Sequence, residues 1–448
     1  MKLHTFKIGG IHPAENKIAA GKPIENMPLP AEVVLPVAQH IGAPAKPVVK
    51  KGDKVKRGDM VAEPGGFVSA PVHTPISGTV VKIDVCRNPQ GLPVEAIYIK
   101  SDEADREADA KALEQRDTPV RNEAELAALD AKAIIDIIKN AGIVGLGGAT
   151  FPCHVKLSPP PGSKAEIVII NAAECEPCLS CDDMLMRENP REIVKGVSLL
   201  MKAAGVDRGV IAIENNKPEA IEALTQAAAT VPGLEVMPMQ VKYPQGGEKQ
   251  LIEAVIGKEV PSGALPIATG AIVQNVATAY AVYRAVVLGE PLMDRVLTLH
   301  DGNNGRNLRV PFGTILATLT EGLEEPEKII IGGPMMGRTA STLQTPMIKG
   351  TSGILLDKRY AHRQPVENCI RCGRCSDACP MGLEPFLLAT LSRLHEWDEV
   401  ENNKVVNCIE CGSCSYACPA SRPVVDFVRL GKQTVMAAMR ARAAAKKC

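Results

Sequence analysis

Hydrophobic positions change their rhythm along the chain, and each change predicts a different kind of element. Up to about residue 100 they fall in short runs broken by Gly, Pro and Asp. Val48-Val49 and Val55 flank Gly52-Asp53, Met60-Val61-Ala62 follows Gly58-Asp59, and Val80-Val81-Lys82-Ile83 follows Ser77-Gly78. Such runs predict strands joined by tight turns. Residues 101 to about 125 are mostly charged (Asp102, Glu103, Asp105, Arg106, Glu107, Asp109) and predict a solvated linker entering a surface helix. A firmer helix is expected over 131–141, with Asp130 as N-cap and Gly142 ending it. From 142 to about 290, strands at 165–170 and 209–213 alternate with helices at 190–204, 217–229, 248–256 and 276–288, which implies a parallel sheet with helices on its faces. Strand-and-turn character returns over 291–355 (295–299, 328–331), and from about 365 cysteines set the pattern.

The expected fold class is therefore multidomain α/β. Its parts are a β-sandwich with linker (1–110), a Rossmann-like α/β domain (111–290), a small β-grasp-like insert (291–355) and a helical, cysteine-bearing domain with a basic tail (356–448). The segment 70–83 resembles the small β-sandwich of biotinyl and lipoyl carrier domains, but no Lys stands where a carrier presents one. A docking or scaffold role is expected instead of a swinging arm.

Composition narrows the function. At 448 residues, 45% apolar and 23% charged, the chain is an ordinary globular one and not a disordered or collagen-like one. Lys plus Arg (51) balance Asp plus Glu (51), so no global field attracts nucleic acid. Aromatic residues are 3% with one Trp, Trp397, too few for a base-stacking surface. The longest apolar stretch, 271–288, is interrupted by Gln274, Asn275 and Arg284 and reads as a buried helix instead of a membrane span. Residues 1–10 lack the apolar core of a signal peptide, so a cytosolic setting is expected, where clustered cysteines bind metal or do redox work.

Eight of the 14 cysteines fall in two runs, Cys369-x2-Cys372-x2-Cys375-x3-Cys379-Pro380 and Cys408-x2-Cys411-x2-Cys414-x3-Cys418-Pro419. This is the spacing of bacterial ferredoxins with two [4Fe–4S] clusters, in which the fourth Cys of each run ligates the other cluster. On that likeness Cys369, Cys372, Cys375 and Cys418 share one cluster, and Cys408, Cys411, Cys414 and Cys379 the other. Zinc, the alternative, prefers paired C-x2-C knuckles with a long spacer. The 28-residue gap between the motifs carries a helical stretch, 384–394, and fits a helical ferredoxin variant. A further trio, Cys175, Cys178 and Cys181, with Cys153 upstream, is either a third metal site or a set of partly buried thiols; the second is preferred. His12, His40 and His73 read as structural residues. The basic C-terminus (Arg429, Lys432, Arg440, Arg442, Lys446, Lys447) is either a solvated tail or a surface for anionic lipid or a partner.

A second constellation lies upstream. Gly145-Leu146-Gly147-Gly148-Ala149-Thr150-Phe151-Pro152 is a loop whose backbone can approach a phosphate or ring. Asn171-Ala172-Ala173-Glu174-Cys175-Glu176-Pro177 follows a strand, Tyr243-Pro244-Gln245-Gly246-Gly247-Glu248 precedes a helix, and Gln274-Asn275-Val276 follows another strand-like run. The set resembles the NADH-binding flavoprotein subunit of respiratory complex I, whose motifs run G-R-G-G-A-G-F-P, N-A-D-E-x-E-P, Y-x-x-G-E-E and V-N-N-V. By position, Gly145, Gly147 and Gly148 match the FMN loop, and Lys156 the cleft Lys. Asn171 and Asn275 match the FMN asparagines, and Gly246 and Gly247 the third motif. Glu174, Glu176 and Glu248 match acidic positions near nicotinamide or ribose. Leu146, Ala173, Gly247 and Gln274 depart from the pattern, replacing Arg, Asp, Glu and Asn.

Taken in order, the four parts look like the RnfC family, the C subunits of Rnf-type ion-translocating ferredoxin:NAD oxidoreductases. The resemblance implies two [4Fe–4S] clusters, non-covalent FMN, NAD(H) as substrate, and hydride exchange followed by one-electron relay, with Glu176, Glu248 and Lys156 at the reacting face. It implies partners in the other subunits of a membrane complex that pumps Na+ or H+, ferredoxin through that complex, no nucleic acid, and a peripheral place on the cytoplasmic face of a bacterial inner membrane. A flavin and iron–sulfur cobalamin reductase, or an electron-transfer scaffold binding no nucleotide, are the alternatives.

Overall fold

The computed structural model describes residues 3–89, 91–324, 326–358 and 364–445; Lys446 and Lys447 of the basic tail lie outside them. The N-terminal part is two facing antiparallel sheets. One orders Glu32–Pro36, Pro93–Lys100, Gly78–Arg87 and Lys54–Val55, and the other Lys46–Pro47, Met60–Glu63 and Val72–His73. Alternate residues Val33 and Leu35, and Ile97 and Ile99, are fully buried between them with Val61, Ile76 and Val80. This is period-two patterning with one face inward.

The charged stretch after the sandwich forms the expected surface helix almost from its start, with one residue turned inward. Asp102 caps a helix, Glu103–Glu114, by accepting from the Asp105 N–H, and Asp109 is buried. Its carboxylate accepts from both N–H and Oγ of Ser77 at 2.6 Å, so the helix is pinned to the sandwich. The charge pattern concealed one residue turned inward.

The central sheet is four-stranded and parallel, in the order Leu234–Met239, Gly209–Glu214, Ile167–Ala172, Ala271–Asn275. Both faces are covered. Val168, Ile170, Ile211 and Ile213 pack with Ile193, Val197 and Val282 of the helices Pro190–Ala204 and Val276–Val287. The alternating residues Ile167, Ile169, Val210 and Ala212 pack with Leu251, Ile252 and Val255 of Glu248–Ile256. Two-sided burial explains the near-continuous apolar strands. At Gly196 a Cβ would stand 1.9 Å from Ala279 O, so glycine lets the two helices of the first face touch backbone to backbone.

The 271–288 run is a strand and then a helix, not one buried helix. Asn275 ends the strand and caps the helix, its Oδ1 accepting from the Ala277 N–H. The strand-like run before Asn275 is the strand Ala271–Asn275, whereas the strand Leu234–Met239, blurred by Pro238 and Glu235, and the helix Cys181–Glu188 were not expected.

The insert is a six-stranded mixed sheet, Ile24–Asn26, Gly305–Pro311, Asp294–His300, Gly353–Leu355, Ile330–Ile331, Arg338–Thr339. Its first strand comes from the chain's beginning and lies parallel to Gly305–Pro311. The last part packs helices Pro385–Arg393, Trp397–Asn402 and Val424–Ala445 around Leu388, Val400, Val425, Val428 and Val435. No helix among the described residues is long and apolar enough to cross a membrane.

One ion-pair network joins these parts. Arg284, buried on the helix Val276–Val287, meets Asp294 of the insert and Glu290 at 2.6 Å each; Arg57 of the sandwich reaches Glu290 at 2.7 Å, and Arg116 and Arg309 reach Asp294 at 3.4 Å. Opposing burial, Arg284 and its neighbouring cations hold the Asp294 carboxyl far below the usual carboxylate range. Removing one partner strands the rest. Arg284→Met should destabilise the chain by about 3–5 kcal/mol at pH 7, read as a loss of denaturation midpoint. The Asp294 contribution in the parent is present above its unfolded pKa and lost as pH falls. In the variant the unpaired carboxylates are relieved by protonation, so its deficit should shrink on acidification through the carboxylate range. A deficit that is the same at pH 7 and pH 4.5 would refute this account.

Candidate redox site

The parallel register sets Asn275 beside Asn171 at the carboxyl ends of neighbouring strands, the edge where open α/β sheets take ligands. Asn171 donates to Gly246 O at 2.8 Å and accepts from the Ala173 N–H. The loop Gly145–Gly148 lies against the same edge, where a Cβ on Gly147 would stand 3.4 Å from Asn275 Cβ. Gly147 and Gly148 are exposed, and Gly148 has φ +106°. A Cβ on Gly246 would stand 3.2 Å from Cys175 Sγ and 3.4 Å from Asn171 Oδ1. Glycines at both walls and two amides on the floor form a cradle that side chains would fill, and this fits a flat ring with a phosphate tail.

Lys156 and Glu248 come together at the mouth of the cradle. Nζ donates to Glu248 Oε1 at 2.8 Å and to Val273 O at 3.0 Å. Glu248 opens the helix Glu248–Ile256, where the helix dipole favours its charge. The departures from the complex I pattern have packing reasons. Leu146 is buried in the core while its N–H donates to Thr278 Oγ1. A Cβ on Gly247 would stand 2.6 Å from Gln250 Oε1 and 3.1 Å from Pro244 O. Gln274 is buried, donates to Cys153 Sγ, and leaves Oε1 without a partner.

The other two acids face backbone. Glu174 accepts from the N–H groups of Asp182 (2.7 Å) and Asp183 (3.2 Å), so it caps the helix Cys181–Glu188. Burial and the neighbouring Glu174 push the Asp182 carboxyl up to about 6, opposed by the Asn275 amide at 2.8 Å. Glu176 accepts from the N–H groups of Met335 (3.1 Å) and Met336 (2.8 Å) in the insert. Burial pushes its carboxyl up to about 7. Of the predicted residues, the structure thus unites the Gly145–Gly148 loop, Asn171, Asn275 and Gly246 in one cradle, with Lys156–Glu248 at its mouth. Glu174 and Glu176 lie on the loop beside it, held from other elements.

The two cysteine runs are duplicated in backbone as well as sequence. Arg371 and Gly373 (φ +53° and +77°) repeat as Glu410 and Gly412 (+58° and +80°), and Gly382 (+61°) as Ser421 (+48°). Each motif leads into a short helix, Arg374–Asp377 or Ser413–Tyr416. Cys379 joins Cys408, Cys411 and Cys414 around a small pocket walled by Met381, Leu383, Leu388 and Val425. Among the described residues, the one set of three or more ligating side-chain atoms within 4.8 Å of one another is Glu174, Cys181 and Asp182. Burial pushes the Cys408 thiol up to about 11 and Cys414 higher, with neighbouring cysteines adding to both, so these groups ionise only beside added positive charge. Cys369 and Cys372 are exposed, with Cys375 and Cys418 half-buried.

The loop and helix that border the cradle also touch the backbone of the Cys379, Cys408, Cys411 and Cys414 set. The Tyr243 hydroxyl donates to Cys411 O at 2.7 Å, from the same short loop that carries Gly246. Gln250 Nε2 reaches Pro380 O at 3.2 Å from the helix that begins with Glu248. Sequence reasoning placed neither side chain at this junction. Cys153, Cys175 and Cys181 make separate contacts, with Gln274, the Gly246 N–H and Ser352 O.

Three family descriptions match the chain: an RnfC barrel sandwich hybrid domain over 4–104, a Nuo51 FMN-binding domain over 138–284 and a 4Fe-4S dicluster domain over 362–419. The chain is 44% identical to the C subunit of the Na(+)-translocating ferredoxin:NAD(+) oxidoreductase complex of Acetobacterium woodii, over 98% of this chain and 99% of the relative. It is 45% identical to the C subunit of the proton-translocating ferredoxin:NAD(+) oxidoreductase complex of Clostridium ljungdahlii, over 97% and 95%. To the C subunit of the ion-translocating oxidoreductase complex of Rhodobacter capsulatus it is 42% identical, over 88% and 76%.

Anaerobically purified chain should carry about eight irons, two cubes' worth. Cys379→Ala should remove about half the iron and one of two reduced-cluster EPR signals. About 12 irons in the parent would instead assign the Cys153, Cys175, Cys178 and Cys181 group to a third cluster.

Proposed function

We propose that this chain, which belongs to the RnfC family of C subunits in ion-translocating ferredoxin:NAD(+) oxidoreductase complexes, is the subunit at which NAD(H) meets the electron chain of such a complex. It is an oxidoreductase subunit with an FMN-binding domain and a two-cluster [4Fe–4S] domain. The observation that carries the reading is the junction of Gly246, Tyr243 and Cys411, which puts the cradle and the buried cysteine quartet on either side of one short loop.

FMN, when bound, supplies the exchange between a hydride pair and single electrons. The chain's own residues do the rest. Gly145, Gly147 and Gly148 let backbone N–H groups approach the phosphate, and Asn171, Asn275, Gly246 and Gly247 hold the ring end. Lys156 and Glu248 stand at the mouth and orient the nicotinamide nucleotide. Glu174 and Glu176 fix the loop between them by binding N–H groups of neighbouring elements. Cys408, Cys411, Cys414 and Cys379 would hold the inner cluster, and Cys369, Cys372, Cys375 and Cys418 the outer one; the clusters would supply one-electron transfer. A peripheral place on the cytoplasmic face of a bacterial inner membrane follows from the use of NAD(H).

Relatives named for sodium and for protons are 44% and 45% identical to this chain, so we assign the ion path to other subunits. A corrinoid reductase accounts less well for the barrel sandwich match over 4–104. A scaffold without nucleotide accounts less well for the Lys156–Glu248 pair beside glycine walls.

Chain loaded with FMN and iron should reduce ferricyanide with NADH. Lys156→Met and Glu248→Gln should each slow this about 10- to 100-fold with iron content unchanged. A fully loaded parent that does not oxidise NADH would reject the function, and unaffected variants would reject these two roles.

A further inference from the structure

The loop 173–179 leaves the central strand and forms one side of the cradle. Two of its residues, Glu174 (φ +47°) and Cys178 (φ +68°), hold left-handed backbone that non-glycine residues rarely adopt. Two lysines account for its shape. Lys17, from the N-terminal segment, donates from one Nζ to three loop carbonyls: Glu174 O at 2.9 Å, Glu176 O at 3.1 Å and Leu179 O. An ammonium has three hydrogens, and all three are used on this loop. Lys217, buried at the start of the helix Pro218–Ala228, donates to Ala173 O at 2.7 Å and Asn216 Oδ1 at 2.9 Å, with Glu214 at 3.6 Å. The same N-terminal segment ties the loop once more, Cys178 N–H donating to Glu15 O at 2.7 Å.

We propose that Lys17 and Lys217 are positioning residues of the flavin site: they lock the loop by four of its carbonyl oxygens and place two positive charges behind the cradle. This rests on the FMN reading above and extends it to residues outside every motif. The charge arithmetic favours it. Among the described residues, Glu214 is the one carboxylate within ion-pair reach of Lys217, its Oε1 has no hydrogen-bond partner, and burial pushes it up to about 6. Lys17 is satisfied by carbonyl oxygens. Glu174, Glu176 and Asp183 also stand close by, so the lysines offset carboxylates here, and loss of either one turns the local field toward negative and disfavours added negative charge on a ring held beside the loop. Another lysine of the same region supplies a control. Lys242 lines the same pocket as Lys17, but its Nζ is bound to Phe6 O and not to the loop.

The test uses the full chain, purified anaerobically, as Lys17→Met, Lys217→Met, Lys17→Arg and Lys242→Met. The readouts are the FMN Kd from flavin fluorescence, the flavin midpoint potential, and iron content as the measure of folding. Lys17→Met should weaken FMN binding about tenfold, which is about 1.4 kcal/mol, and lower the midpoint, with iron kept at about eight per chain. Lys17→Arg keeps the charge but cannot aim three hydrogens from one nitrogen. It should keep the midpoint near the parent's and still weaken binding. Lys242→Met should match the parent. A folded Lys17→Met with the parent's Kd and midpoint would overturn the proposal, whether or not Lys217→Met folds. A parent that binds no FMN would instead overturn the reading beneath it.

Discussion

The strand register that pairs Asn171 with Asn275 is the constraint on which the nucleotide end of the molecule depends. Side chains alternate along a strand, so a slip of one residue would turn the partnered amide to the opposite face of the sheet and bring an apolar neighbour to the edge. The register is protected by burial on both faces. Ile169 and Ile170, adjacent in sequence, pack into different cores. Each face therefore reports on the register independently, and the geometry at the strand ends inherits a precision that a half-exposed sheet would not give.

The second organising feature is the path of the first residues. The N-terminal segment does not precede the structure so much as thread it. Gly10 N–H donates to Ala378 O beside Cys379, Ile11 exchanges backbone hydrogen bonds with Tyr243, Lys17 holds the loop 173–179, and Ile24–Asn26 extends the insert sheet. A Cβ on Gly9 would stand 2.4 Å from Cys379 O, so the strap lies directly on the cluster loop. One continuous piece of chain thereby keeps a fixed separation between two cofactor-bearing parts that are far apart in sequence.

How far the sequence could be read depends on where each signal resides. Helices with covalent punctuation were legible to within a residue or two: Asp130 and Gly142 bound one, Pro190 opens another, and Gly247 and Gly257 bracket Glu248–Ile256. The dicluster domain was legible because the motif carries its own spacing, and Cys379 lines one pocket with the first three cysteines of the second run. The strand Leu234–Met239 was not, since its Pro and Glu are tolerated only because it is the sheet's edge. Lys17 and Lys217 were invisible for a different reason. Their partners are main-chain carbonyls, which every residue possesses, so nothing in the side-chain alphabet marks the pairing. The motif departures at Leu146 and Gly247 make sense only once the neighbours that fill their space are known.

The unequal burial of the two cysteine quartets has a kinetic meaning. An electron arriving at a dry, apolar-walled centre disturbs few dipoles, whereas one arriving at a wet centre must wait for water to reorient around the new charge. Cys369 and Cys372 are exposed while Cys379, Cys411 and Cys414 are buried, so charge placed among the first pair is screened by water and charge placed among the others is felt by the protein around them.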